Sequence, residues 1–503
     1  MKTPLNRREF TKKLTVGAFA TGSAAAANAQ DRVNPDNRQK PRGSRANPIA
    51  FDPSADGKHV RTSGSLVQDG SMFAEDAREI TVRADYDVMV CGGGPAGFSA
   101  ALAAARAGAK TAVIETNGCL GGVWTSGLLS WILDGKNKSG IMAELIAKLT
   151  ESQTGRIMES AFVYHPDEMK MALEQMLLDA GVRVRLHTRV VGAANDEANR
   201  LTTILTESKS GREAWTAKAF IDATGDGDLA AQAGCDFDFG RPGDGITQPF
   251  SMIGLFTGVT TDQIAPFVRA VAEPRGLGRA KPNLLAEMRK SGVDPSYGGP
   301  TIFRIREGLF CLMANHQYNV SAVDADDVSR ATMEARHEVH RLVGSLRKMG
   351  GVWKNVELVT TSEQIGTREG RRIHGRYTVS DEDLKTGARF EDSICRVTFP
   401  IDVHATDPTK TKEIESKPFK SQPYDVPLRA LLARDVDGLM LAGRNISGDF
   451  IAHSSYRVTG NSVVMGEAAG VTSALSVKNQ VLPHEVPFAE MSKTMQNLAK
   501  VAG

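Results

Sequence analysis

The stretch YDVMVCGGGPAGFSAALAAARAGAKTAVIET, residues 86–116, constrains the fold more than any other part of the chain. Tyr86 to Cys91 is an apolar run that predicts a buried strand. Gly92, Gly94 and Gly97 follow as G-x-G-x-x-G, with Pro95 and Ala96 inside the motif. Phe98 to Ala107 predicts a helix, and Gly108 stops it. Thr111 to Ile114 predicts a second strand, with Glu115 at its C-terminal end, 23 residues beyond Gly92. Strand, tight turn, helix and strand in that order suit a dinucleotide. Glycine allows the turn and the close approach of backbone to pyrophosphate. The helix N-terminus offers free N–H groups and a positive dipole end, and the acid suits ribose hydroxyls.

Three further stretches separate one dinucleotide from another. GCLGG at 118–122 follows the acid directly. KAFIDATGDGD at 218–228 and VDGLMLAGRNIS at 436–447 are strands ending in glycine loops. Four such loops along most of the chain suit one long cofactor on the C-terminal edge of a sheet. They do not suit a compact NAD unit followed by a separate catalytic domain.

In GGGPAG, IDATGDGD, REGRRIHGRYT and AGRNIS the chain resembles the FAD-dependent oxidoreductase family of the glutathione-reductase-like (two-dinucleotide-binding) superfamily, over roughly residues 78–480. The resemblance implies FAD and an α/β fold: a Rossmann-like FAD-binding domain with a β-meander, plus an inserted α+β substrate or cap domain. It implies that Gly92, Gly94, Pro95, Ala96 and Gly97 hold the pyrophosphate and Glu115 the adenosine ribose. Gly121 and Gly122 would lie on the far side of the phosphates, and Val190, in LHTRVVGA, beside the adenine. Thr224, Gly225 and Asp226 would close over the diphosphate. Gly443 and Arg444 would begin the loop to ribityl and flavin. Residues 201–221, with a Ser210-Gly211 turn, predict the meander.

Asn461 to Ser476 has helical spacing, and Thr459, Gly460 and Asn461 predict its N-cap. Such an N-terminus at the flavin N1–C2=O edge would favour the anionic reduced flavin, which places Asn461 among the cofactor residues. His453, just before that helix, is a candidate base toward a substrate hydroxyl.

Between Gly234 and Tyr424 the sequence changes character. QPFSMIGLF (248–256) and EGLFCLMAN (307–315) predict strands, and 324–349 a long helix, which together suggest a cap over the flavin. GTREGRRIHGRYT (366–378) carries Arg368, Arg371, Arg372 and Arg376. In an extended chain Arg372, His374 and Arg376 share one face. Guanidinium suits a carboxylate or other oxyanion. The alternative is a solvated charged hairpin with Glu363, Glu369 and Asp381 as partners. The family resemblance favours active-site arginines, Arg368 before Arg372. FPIDVH (399–404) predicts a strand, ending in His404 with Asp402 as a second acid–base candidate.

The five cysteines, Cys91, Cys119, Cys235, Cys311 and Cys395, are widely spaced and contain no CxxC. No metal site or disulfide framework is expected. The first 29 residues combine Arg7-Arg8, a short apolar run and Ala27-Asn28-Ala29. This is similar to a twin-arginine signal peptide, so the expectation is export of a folded, cofactor-loaded chain to the periplasm. Residues 30–77 read as an extended N-terminal segment, 78–234 and 425–480 as the FAD-binding domain, 235–424 as the cap and 481–503 as a tail. Five cations against Glu9 put a net +4 in the signal and leave −2 elsewhere, so no nucleic acid or anionic membrane is expected as a partner. No later run is long and apolar enough to span a membrane.

The expected function is FAD-dependent oxidation of a small hydroxylated organic substrate by hydride transfer to flavin N5. His453 or His404 takes the proton, an arginine of 366–378 orients an oxygen anion, and an unidentified electron acceptor reoxidises the cofactor. Two alternatives stay open: a flavin-dependent reductase of an activated double bond fed by an electron carrier, and a flavin-using non-redox lyase or binding protein.

Overall fold

Apolar runs that end in glycine build the central sheet. A computed structural model describes residues 63–501 except 68–69, 159–160 and 270–277. Residues 1–29, expected as a signal peptide, and residues 30–62 lie outside the described residues. Strand β1 (Thr81–Cys91) enters the glycine turn, helix α1 (Pro95–Arg106) leaves it, and β2 (Thr111–Ile114) follows. After β3 (Arg183–Arg185) come β4 (Arg189–Asn195), β5 (Leu201–Ser208) and β6 (Gly211–Asp222). The strand order is β3-β2-β1-β6-β5-β4. The first four are parallel, and β5 runs antiparallel to both β6 and β4, as a meander. Strand β1 starts early: Thr81 and Val82 pair with Glu213 and Ala214 of the long β6.

The cap has its own antiparallel sheet. Strands β7 (Ile253–Thr257), β8 (Thr301–Arg306), β9 (Leu309–Met313) and β10 (Glu357–Thr361) lie in the order β8-β9-β7-β10. Helix α2 (Ala325–Met349) packs on it, with the Asp324 carboxylate accepting from the Asp327 N–H at 2.9 Å as N-cap. Phe256 and Phe310 stack at 5.4 Å and share a core with Leu342, Val343 and Leu346. Apolar cores of the cap run from Phe250 to Ile365. Ile373 to Tyr424 instead share the core of the large sheet, so the cap is narrower than 235–424.

The chain then returns to the first sheet. Strand β11 (Leu439–Leu441) pairs parallel with β6. Helix α3 (Phe450–Tyr456) and helix α4 (Thr459–Asn479) follow. Every residue from Gly460 to Ser476 is buried. Small residues make that possible: a Cβ on Gly466 would sit 2.0 Å from the Ala96 carbonyl oxygen. The Ser99 hydroxyl donates to the Val463 carbonyl at 2.8 Å and fixes α1 against α4. The N-cap of α4 is Val458, with no side-chain cap, because Thr459, Gly460 and Asn461 already lie in the first turn. Residues expected as a tail form another helix, Phe488–Val501, with Met491 buried in the core. Among the described residues no helix is long and apolar enough to cross a membrane.

Candidate active site

Register brings the glycine loops together. Cys91 pairs with both Ile114 and Asp222, and Asp222 with Leu441. Strands β1, β2, β6 and β11 therefore end level, and their loops leave one edge of the sheet. Gly92 adopts φ +96, and a Cβ on Gly97 would lie 1.8 Å from the Gly92 carbonyl oxygen. No side chain fits at either place. A Cβ on Gly94 would meet nothing within 4 Å, so the turn opens onto free space at the N-terminus of α1. Gly121 donates to the Gly93 carbonyl at 2.8 Å, and Gly122 packs on Gly94, which sets GCLGG against the same turn. Pro95 and Ala96 begin α1.

The acids have two roles. Glu115 is buried, accepts from the Gly93 N–H at 2.6 Å and the Asn117 N–H at 2.7 Å, and has its pKa raised by burial. Asp222 is fully buried and accepts from Thr224 N, Thr224 Oγ1 and Ala230 N at 3.0, 2.7 and 2.8 Å. It shapes the A-T-G-D loop. Asp226 pairs with Arg444 at 2.8 Å, and Gly225 lies against that guanidinium. Arg444 also donates to the Thr367 carbonyl. Val190 is buried in β4 at the far side of the sheet. An open glycine turn at a helix N-terminus, with an acid at the next strand end, fits the pyrophosphate and ribose of FAD.

Asn461 lies in the first turn of α4. Its Nδ2 lies 3.4 Å from the Tyr456 carbonyl, its Oδ1 accepts from Cys395 Sγ at 3.5 Å, and its N–H is taken by Val458. These contacts brace the start of α4. His453 is fully buried in α3, edge-on to Tyr456 at 5.5 Å. Neither ring nitrogen has a hydrogen-bond partner. Burial, then Arg457, Arg372 and Arg444, hold its pKa well below the usual value. The Arg444 backbone also acts on the ring, raising its pKa slightly against burial.

The 366–378 segment is neither an oxyanion face nor a solvated hairpin. Arg372 is buried and fully engaged by Glu369 and by the Gly240 and Gly448 carbonyls, so it is structural and not a substrate residue. His374 faces Asp238 and Arg376 faces Asp437. Arg368 alone is different. It donates to the Pro249 carbonyl and to Ser251 Oγ, the latter at 2.9 Å, and among the described residues no carboxylate lies within ion-pair distance of it, Asp402 acting only from farther off. Burial and then Arg457 lower its pKa to about 10, which leaves it charged at neutral pH.

FPIDVH is not a strand. Its backbone donors go to side chains: Asp402 N to Ser454 Oγ at 3.2 Å and His404 N to Gln248 Oε1 at 3.0 Å. That pins His404 beside Asp402, with Nε2 3.4 Å from the carboxylate. Arg457 donates to the Asp402 and Arg368 carbonyls at 2.8 and 3.0 Å and to Gln248 Oε1 at 3.2 Å. Burial, then Arg368, push the His404 pKa down to about 3 against the raising pull of Asp402.

Sequence reasoning missed three residues here. His316 Nε2 lies 3.0 Å from His404 Nδ1, and Tyr297 packs tilted on His316 with ring centroids 4.2 Å apart. Tyr318 OH lies 3.2 Å from His316 Nδ1. They come from the turn before β8 and the segment after β9. NHQYN at 315–319 was the available signal, two aromatic titratable residues spaced to share a face.

Level strand ends, four glycine loops and a cap carrying buried arginine and histidine define a flavin-dependent oxidoreductase. The description "FAD dependent oxidoreductase" matches residues 87–495, and the chain belongs to that family. Over 37 residues it is 60% identical to a dihydrolipoyl dehydrogenase of Trypanosoma brucei brucei, a stretch covering 7% of this chain and 8% of that one. The chain thus spans less than a tenth of that relative's length. Among solved structures it is similar to a geranylgeranyl bacteriochlorophyll reductase-like protein of Thermoplasma acidophilum (15% identity, 83% of each chain, TM-score 0.41). It is also similar to the flavin-dependent monooxygenase PieE (13% identity, 79% of this chain and 59% of that one, TM-score 0.45). The p-nitrophenol 4-monooxygenase PnpA of Pseudomonas putida DLL-E4 is a third (11% identity, 84% and 86%, TM-score 0.42).

Proposed function

We propose that this FAD-dependent oxidoreductase oxidises a small hydroxylated organic anion, with Arg368 holding the anion and His404 receiving the hydroxyl proton. The carrying observation is the charge on Arg368. Three neighbouring arginines have acids: Arg372 has Glu369, Arg444 has Asp226 and Arg457 has Asp402. Arg368 has no carboxylate within ion-pair distance among the described residues; Asp402, already paired with Arg457, acts on it only at longer range, which leaves a half-buried guanidinium for a ligand to neutralise. Its Nη1 is used by the protein, while Nε and Nη2 are left for a carboxylate.

FAD, when bound, supplies the two-electron oxidant that accepts the hydride. The protein supplies position and a base. His404 is neutral, and its Nε2 contact with Asp402 is longer than an ordinary hydrogen bond, so a substrate hydroxyl can displace it. An anion on Arg368 offsets the guanidinium's lowering pull on His404 and raises its basicity toward the working pH. Arg457 holds Asp402 and the Arg368 backbone in place.

The paired arginines and the Ala27-Asn28-Ala29 pattern support export of the folded, FAD-loaded chain to the periplasm, where an electron acceptor reoxidises it. Replacing Arg7 and Arg8 by lysine should then retain the protein in the cytoplasm, and unchanged export would contradict that. The function is tested by screening hydroxylated acids and neutral sugar derivatives with an artificial electron acceptor, and repeating the screen on Arg368→Ala. Turnover of acids that Arg368→Ala loses supports the reading. Turnover without any acceptor, or of neutral compounds only, overturns it.

A further inference from the structure

The His404 ring belongs to a hydrogen-bonded line that leaves the site. His404 Nδ1 lies 3.0 Å from His316 Nε2. His316 Nδ1 lies 3.2 Å from Tyr318 OH, and Tyr318 OH lies 3.1 Å from the Ser296 carbonyl. The line is built, not incidental. Tyr297 packs tilted on His316 with ring centroids 4.2 Å apart, and the His316 backbone N–H donates to Ser296 Oγ at 2.8 Å. Ser296 is itself held by both oxygens of buried Glu338, at 2.7 and 2.8 Å. His316 is buried, while Tyr318 is only half-buried. The charged and titratable groups facing the two rings are Arg368, Arg457, Asp402, Tyr297 and Tyr318, with Glu338 behind Ser296.

Two neutral imidazoles in line each carry one proton and one lone pair, which allows two self-consistent orders. In the first, Tyr318 donates to His316 Nδ1, His316 Nε2–H donates to His404 Nδ1, and His404 Nε2–H points at Asp402. In the second every proton is shifted. Tyr318 donates to the Ser296 carbonyl, His316 Nδ1–H donates to the Tyr318 oxygen, and His404 Nδ1–H donates to His316 Nε2. His404 Nε2 is then bare toward the site. Only the second order makes His404 a base.

We infer that His316 and Tyr318 are a proton relay for His404, coupled to its tautomer through the His404 Nδ1–His316 Nε2 contact and carrying the substrate proton away from the site. The inference rests on the oxidation proposed above. When a substrate hydroxyl gives its proton to His404 Nε2, the Nδ1 proton passes to His316 Nε2. The His316 Nδ1 proton passes to the Tyr318 oxygen, and Tyr318 releases its own proton to solvent. One proton enters and one leaves, and the line ends in the first order. The electron pair leaves separately, as the hydride that FAD accepts.

Tyr318→Phe keeps the ring against His316 and removes only the hydroxyl, and His316→Gln breaks the middle of the line. Two readouts apply. In the holoenzyme with 15N-labelled histidine, removal of the Tyr318 hydroxyl should change the tautomer balance read at the His404 ring nitrogens, although Tyr318 does not touch His404. With a substrate from the acid screen, anaerobic flavin reduction should slow about tenfold to a hundredfold in either variant, with substrate affinity unchanged. Added imidazole or formate should restore much of the rate. His404 signals unchanged in Tyr318→Phe overturn the relay, as do wild-type reduction rates in both variants, or a loss that no small base restores. If the wild type is not reduced by any hydroxylated acid, the oxidation reading fails and the relay of a substrate proton fails with it. Wild-type reduction with unaffected variants overturns the relay alone.

Discussion

Arg444 Nη2 lies 2.8 Å from Asp226 Oδ1, and this contact joins two loops 218 residues apart into one rim. The same guanidinium bonds the Thr367 carbonyl, which ties the cofactor loops to the Arg368 segment. Arg444→Met should therefore loosen FAD and disturb the substrate side together. The expected cost is about 1.5–3 kcal/mol in FAD affinity, the worth of a hydrogen bond to a charged group. Flavin content after gel filtration measures it.

Two glycines of one motif should fail differently. Gly97→Ala places a Cβ 1.8 Å from a backbone oxygen and should prevent folding or lower Tm sharply. Gly94→Ala meets nothing within 4 Å, so the protein should fold with near-normal Tm and yet retain less FAD, because the added methyl enters the space left for pyrophosphate. Thermal unfolding and flavin content, read side by side, separate the two effects.

Arginines four apart in sequence should also part company. Arg372→Met leaves Glu369 buried without its cation and should destabilise the fold by about 3–5 kcal/mol. Arg368→Met breaks no ion pair and should leave Tm nearly unchanged while raising KM for an anionic substrate about tenfold or more. Denaturant unfolding and steady-state kinetics on the two variants check the contrast.

Glu467 gives a pH prediction. It is buried in α4, accepts from the Ile141 N–H at 3.2 Å, and has its pKa raised by burial to about 7. A carboxyl whose folded pKa lies above its unfolded value favours the fold below the unfolded pKa, and that contribution is lost as pH rises through the folded value. Stability should thus fall between about pH 4.5 and 7 on this group's account. Glu467→Gln keeps an acceptor without a charge and should raise Tm at pH 8 but not at pH 4, by up to about 3 kcal/mol equivalent. Melting curves at the two pH values decide it.

The cofactor half of the protein was legible because its signals are local. Strand, glycine turn and helix around Gly92–Gly97 lie within one short window, and Glu115 follows at fixed spacing. The substrate half was not. Arg368, His404 and Arg457 were visible as residue types, but nothing along the chain shows that Glu369 neutralises Arg372 while Arg368 goes unpaired. Tyr297, His316 and Tyr318 reach His404 only through the β8–β9 hairpin and its flanks, a tertiary contact without periodicity. FPIDVH looked extended because its apolar residues alternate with polar ones. Its N–H groups found Ser454 and Gln248 in place of a neighbouring strand. Asn461 looked like a cap because helix N-termini favour such residues, yet the helix had already begun at Thr459.

Anaerobic titration of the purified, flavin-loaded protein tests the account most directly. Hydroxylated organic acids should bleach the visible flavin bands of the wild type at neutral pH. Arg368→Ala, with its flavin still bound, should need far more acid for the same bleaching. A wild-type flavin that no hydroxylated acid bleaches, but whose chemically reduced form is reoxidised by unsaturated acids, would contradict the account.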